Sequence, residues 1–251
     1  VFLTVVVLGM VSSIISAIIA ALFLVTVLDL LPLDRKSRIN VAIVACFAIG
    51  LGAVLTPLGE PLSTIAISKL QGEPYQAGFF FLTELLWLFV LPGVFAMGVL
   101  SSTPLVLSTD NTEVVPKADI SDPYIKVLFW VLRVLVFVMA LVLLGESFRV
   151  LIDKYFINVV PEGLFWINTV SAVLDNATLA AAEIGPSLSI IQIKAVLISL
   201  MVSGGMLIPG NIPNIIVAGK LKITMRDWAV LAIPLGTVLL GIYFVFLFYV
   251  V

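Results

Sequence analysis

Gly50-Leu51-Gly52-Ala53-Val54-Leu55-Thr56-Pro57-Leu58-Gly59-Glu60-Pro61-Leu62-Ser63-Thr64 interrupts an apolar run with two prolines, a glycine and an acid. The chain does it again at Gly204-Gly205-Met206-Leu207-Ile208-Pro209-Gly210-Asn211-Ile212-Pro213-Asn214, allowing a small gap. Each proline removes a backbone donor and each glycine admits conformations closed to other residues, so a helix running into either stretch must come apart. Paired breaks in two halves of a membrane protein point to a transport site, because unwound backbone and half-helix ends can replace an ion's water shell.

The surroundings are those of a bilayer protein. Of 251 residues, 62% are hydrophobic and 11% charged, and the mean hydropathy is +1.26. That leaves too little polar surface for a soluble globule. Apolar runs reach the roughly 20 residues that span a bilayer as helix and lack the alternation of an outer-membrane barrel, so an all-α integral membrane protein is expected. The net charge of -2 and scattered basic residues speak against a nucleic-acid partner. Cys46 is alone and histidine is absent, which removes disulfide and zinc frameworks and leaves carboxylates to carry proton chemistry. The chain opens at Val1 directly in apolar sequence, and is expected to be processed or truncated rather than to carry a signal peptide. No His-Glu-x-x-His, Gly-x-Ser-x-Gly, P-loop or Gly-x-Gly-Asp occurs, so no enzyme is expected.

Outward from the breaks, the chain divides into two units. Residues 1–100 form the first: a stretch over 1–32 that is either one tilted crossing or a re-entrant hairpin, a broken helix over 40–70, and a crossing over 77–100. A polar linker over 101–123 follows. The second unit, 124–251, has a crossing over 124–145, a short amphipathic segment over 150–160, a hairpin over 163–183, a broken helix over 188–221 and a final crossing over 228–251. The hairpins align as Ser16-Ala17-Ile18-Ile19-Ala20-Ala21 against Ser171-Ala172-Val173-Leu174-Asp175-Asn176. If both are re-entrant, three crossings separate them, and an odd number inverts the second unit relative to the first. Arg35, Lys36, Arg38, Lys117, Lys220, Lys222 and Arg226 then share one side, the cytoplasmic one, and Lys69, Arg149 and Lys154 the other.

Glu60 is the acid of the first break. Asp175-Asn176 sits in the middle of the second hairpin, where an intramembrane carboxylate costs on the order of 3 kcal/mol by insertion scales and marks a functional candidate. Thr178 lies on the same helical face as Asp175. The alternatives are a plain proline kink with Glu60 in a surface turn, and an Asp175 that only caps the second leg. Glu84, Arg133 and Glu146 read as structural ion-pair residues, Lys194 and Glu183 as side chains snorkelling to the membrane edge, and Lys69 and Lys220 as helix C-terminal charges.

These residues resemble a known family. The stretch from Leu55 to Thr64 is similar to the Pro-x-Gly-acid motif of D-type sodium/proton antiporters, and Ser171 to Ala177 to their second-hairpin Asp-Asn motif. Pro209 to Gly219 looks like the Pro-Asn break of the wider ion transporter superfamily, which includes arsenite and dicarboxylate carriers. The resemblance extends over nearly the whole chain, most closely to uncharacterised predicted cation transporters of archaea and bacteria. It implies two inverted units with a site between four tips and elevator movement within a homodimer in a prokaryotic cytoplasmic membrane. Two features depart from it: Ala20-Ala21 stand where the second hairpin has Asp175-Asn176, and the family has scaffold helices before the first hairpin, so the chain from Val1 is expected to be incomplete as a transporter.

The expected function is secondary exchange of a monovalent cation, sodium first, for protons across the lipid bilayer, without a cofactor. Glu60 and Asp175 would hold the sodium or the proton. Backbone around Thr56 and Gly59 and around Gly205 to Gly210, with the side chains of Ser63, Thr64, Asn176, Thr178, Asn211 and Asn214, would supply further oxygens. Sodium-coupled transport of a carboxylate or oxyanion is the second possibility, and a non-transporting membrane scaffold or fragment the third.

Overall fold

The computed structural model describes residues 1–107 and 159–250, with 136 and 139 between them. The crossing expected over 124–145, most of the linker and of the amphipathic segment, and Lys117, Arg133, Glu146, Arg149 and Lys154 lie outside the described residues. Among those described, the chain is helical and has no strand.

Helix α1 (Phe2–Ile15) and α2 (Ala17–Leu30) are both 14 residues long and meet at Ser16, whose φ of 77° is unusual for a residue with a side chain. The single long crossing considered for residues 1–32 is therefore not what forms. Helix α3 (Arg35–Ala53) starts earlier than expected, because the Asp34 carboxylate caps it by accepting from the N–H groups of Lys36 and Ser37. Every residue from Val41 to Ala53 is buried, which is why this helix is apolar all round rather than amphipathic. After the break, α4 (Pro61–Leu70) begins with proline at its first position, where the missing N–H costs nothing. Helix α5 (Phe81–Ser101) closes this half.

Contacts fix the direction of each helix. Thr83 Oγ1 donates to the Leu55 carbonyl and Asn40 Nδ2 to that of Val106, so α5 runs back along α3. Ser16 lies at the break, where the Ala17 N–H donates to the Gly59 carbonyl at 2.7 Å. At its far end, α2 is tied to the start of α3 by the Asp29–Arg38 ion pair at 2.9 Å. Helices α1 and α2 thus leave and return to the same end of α3, with their tip against its break.

The second half follows the same plan. Helix α6 (Pro161–Ile167) continues as a 3-10 turn (Asn168–Ala172), and α7 (Asn176–Glu183) returns. Helix α8 (Ile190–Ser203) is capped by Ser189 and Gln192, breaks, and resumes as α9 (Ile212–Leu221) before α10 (Met225–Tyr249). The Gln192 amide donates to the Val159 carbonyl, Ser203 Oγ to that of Asn168, and Trp228 Nε1 to that of Gly205.

Between the halves, α2 packs on α9 and α4 on α7. The Arg35 guanidinium reaches the Lys222 carbonyl at 3.5 Å, and the Tyr75 hydroxyl donates to the Leu188 carbonyl. The start of each broken helix therefore neighbours the end of the other.

Helices α3, α5 and α10 are long and apolar enough to cross a bilayer. The outer faces of α5 and α10 expose Leu88, Leu91, Phe95, Val99, Val230, Ile233, Val238, Ile242 and Val245, an apolar surface suited to lipid rather than water. Three such helices mark a membrane protein.

Candidate functional site

The first break is held by its own side chains. Ser63 Oγ donates to the Glu60 carbonyl at 2.7 Å and reaches that of Ala53 at 3.5 Å, ten residues back. Thr64 Oγ1 donates to the Pro57 carbonyl, and Thr56 Oγ1 to the Ser13 carbonyl of the hairpin tip. Gly59 is obligatory: a Cβ there would fall 1.9 Å from the Ala53 carbonyl oxygen. At the second break Asn214 Nδ2 donates to the Gly204 carbonyl at 2.9 Å, also ten residues back, and to that of Leu207 at 3.0 Å. Gly210 faces Gly204 in the same register, less tightly: a Cβ there would fall 2.6 Å from the Gly204 carbonyl oxygen.

Glu60 and Asn211 are matched in the same way. Each is an extended residue, φ -157° and -151°, immediately before the resumed helix. Glu60 is 5% exposed and Asn211 2%, so the surface-turn reading of Glu60 is excluded. The amides of Asn211 and Asn176 face the Glu60 carboxylate, and Asp175 is near enough to interact with it through charge. Both Glu60 carboxylate oxygens are buried without a hydrogen bond, as are Asn176 Nδ2 and Asn214 Oδ1. Orphaned polar atoms at this depth are costly, and two of these four are the oxygens of the Glu60 carboxylate itself. A cavity of about 450 Å³ adjoins Glu60 and is lined by Ser16, Ala17, Gly59, Thr64 and Pro213, among others. Among the described residues no three His, Cys, Asp or Glu gather as a metal centre.

Asp175, half-buried, caps α7: its carboxylate accepts from the Thr178 N–H at 3.1 Å and hydroxyl at 3.3 Å. Glu60, Asp175, Asn176 and Asn211 come together; Thr178 joins through Asp175. Thr56, Ser63, Thr64 and Asn214 spend their donors on backbone carbonyls instead. Much of the unwound backbone expected to offer oxygens is likewise engaged: the Gly59 carbonyl by Ala17, that of Gly204 by Asn214 and that of Gly205 by Trp228. The uncommitted side-chain groups there are the Glu60 carboxylate oxygens, Asn176 Nδ2 and Asn214 Oδ1.

Ser16 and Asp175 each cap the returning helix of a hairpin. Ser12 donates to the Ile49 carbonyl, and Ser171 reaches that of Leu200. Glu183 does not snorkel; it is 7% exposed, on a helix that packs against α4 and α8. Glu84 is exposed at the start of α5. Asn168, an amide inside an apolar run, was the available signal for a buried partner to Glu183.

Fold and site define an all-helical membrane protein in which two interrupted helices meet at a buried carboxylate. The chain belongs to the family described as Protein of unknown function (DUF1646), whose model matches residues 1–250. Neither the curated proteins nor the solved structures contain a match to it.

Proposed function

We propose that this protein is a secondary transporter that exchanges a monovalent cation, sodium first, for protons, with Glu60 as the shared binding group. The observation that carries the reading is the Glu60 carboxylate itself, buried at the meeting of two breaks with neither oxygen hydrogen-bonded. A lone buried carboxylate must gain a cation or a proton, and competition between the two is what couples their movement. The Asn176 and Asn211 amides face it from the other unit, and Asp175 adds a second carboxylate nearby for a cation of low charge. Sodium is the cargo in this scheme, not a resident cofactor.

The same reading takes α1–α2 and α6–α7 as re-entrant hairpins of two inverted repeats in a prokaryotic cytoplasmic membrane. It is supported by the recurring contacts at Ser63 and Asn214, Ser12 and Ser171, and Gly59 and Gly210, and by the reciprocal packing of α2 on α9 and α4 on α7.

Proteoliposomes loaded with a pH-sensitive dye provide the test. Sodium added outside should release protons from vesicles containing the native protein and not from those containing Glu60→Gln. Native-rate exchange by that variant removes the role of Glu60. A melting temperature raised by dicarboxylates only when sodium is present would favour anion transport instead, and one indifferent to every ion would favour a scaffold.

A further inference from the structure

A second carboxylate is buried away from the breaks. Glu183 ends α7, and Asn168, 1% exposed, begins the 3-10 turn opposite it. The Asn168 amide faces the Glu183 carboxyl, yet Glu183 Oε2 and both polar side-chain atoms of Asn168 have no hydrogen bond. Hydroxyls collect beside them: Ser171 and Ser203 Oγ lie 2.5 Å apart, and Ser203 Oγ contacts the Asn168 carbonyl at 2.9 Å.

The first unit has nothing of the kind. In place of the Ser203 to Asn168 bond, Gly52 meets Gly9 so closely that a Cβ on Gly52 would fall 1.7 Å from the Gly9 carbonyl oxygen. The buried residue two turns into α2, at the station Glu183 holds on α7, is Leu24. A matched scaffold filled with hydrocarbon in one copy and with an acid and an amide in the other shows that packing alone does not require the acid.

We propose that Glu183 and Asn168 form a proton-holding pair within the second hairpin, separate from Glu60. The serine hydroxyls are turned to one another and to carbonyls, which leaves Glu183 Oε2 and Asn168 Oδ1 uncommitted, a set that suits a proton better than a sodium ion with its larger shell. The charged groups on the elements against α7 are Lys69 on α4 and Lys194 on α8; Asp175 stands at the other end of α7 itself. Pro186 and Ser187 are exposed just beyond Glu183, a place where water could reach it, while two helical turns, about 12 Å, separate it from Asp175. In the step itself the Glu183 O–H bond breaks, the proton passes to a water at that loop, and the carboxylate takes up the next proton. That Glu183 holds a proton stands alone; its part in exchange rests on the transport reading above.

Infrared spectra of the purified protein in lipid, collected through a pH titration, test the pair. The native protein should show a protonated-carboxyl C=O band that Glu183→Gln lacks, and Asn168→Leu should shift that band by removing its amide neighbour. In proteoliposomes Glu183→Gln should slow exchange by about a hundredfold or more, as when a positioned proton carrier is lost, while its sodium-dependent melting shift stays native. A band unchanged in both variants overturns the proposal, and native-rate exchange by Glu183→Gln overturns its part in exchange. If Glu183→Gln does not fold, the Asn168→Leu spectrum decides alone. Should the native protein show neither exchange nor a sodium-dependent shift, the transport reading fails, and the infrared result still decides whether Glu183 carries a proton.

Discussion

Glu60 and Asn211 hold one backbone position twice over, the extended residue before a resumed helix, and their side chains meet inside the protein. An acid at one break and an amide at the other give a pair with one ionisable member. Two acids so placed would repel each other without a bound cation, and two amides would have no charge to trade. Replacing Asn211 with Asp should therefore make the folded protein depend on sodium: its melting temperature should fall without the ion and recover with it. Equal melting temperatures in both conditions would count against a shared site.

Asp175 has a capping role that can be separated from its charge. Asn also caps well, so Asp175→Asn should retain most of the native melting temperature, whereas Asp175→Ala should lose about 1 kcal/mol with the bonds to Thr178. If Asp175→Asn keeps its stability and loses proton release in vesicles, the charge acts in exchange. Retained proton release would confine Asp175 to the cap.

Asn214 is the brace of the second break. Truncation to Ala leaves the Gly204 and Leu207 carbonyls without their donor, at a cost of roughly 1–3 kcal/mol. Thermal unfolding in detergent should show this directly, and Ser63→Ala should show a smaller loss of the same kind.

Gly52→Ala should be among the most damaging single-methyl additions, because the added carbon would overlap the Gly9 backbone rather than a movable side chain. A loss of about 3 kcal/mol or more is expected. Gly241→Ala, in open space inside α10, provides the control and should stabilise by several tenths of a kcal/mol to about 1.

The Asp29–Arg38 pair, with side chains 12% and 10% exposed, anchors the end of α2 to the start of α3. Removing Asp29 alone strands a largely buried guanidinium and should cost about 3–5 kcal/mol, while Asp29→Leu with Arg38→Met should cost less than either single change. A double-mutant cycle in detergent measures the difference.

Much of this plan was legible in the chain because prolines and glycines act locally. Pro57, Gly59 and Pro61, and Pro209, Gly210 and Pro213, mark both interruptions without reference to anything distant. The hairpin over residues 1–32 was harder to read, since its turn rests on Ser16 adopting positive φ, a conformation that sequence assigns to glycine. Glu183 was misjudged for a related reason. An acid at a helix end looks like a surface residue until α4 and α8 are known to close over it, and that closure depends on residues far away in the chain. The carbonyl contacts of Ser12 and Ser171 were likewise out of reach, since their partners lie 37 and 29 residues away.

The cross-packing of α2 on α9 and of α4 on α7 makes the halves hostages to each other. Residues 1–107 produced by themselves would leave two apolar helix flanks uncovered, and residues 159–250 would leave the complementary pair. Cut genes for the two parts should give stable protein only when both are made in the same cell, and each product made singly should be degraded.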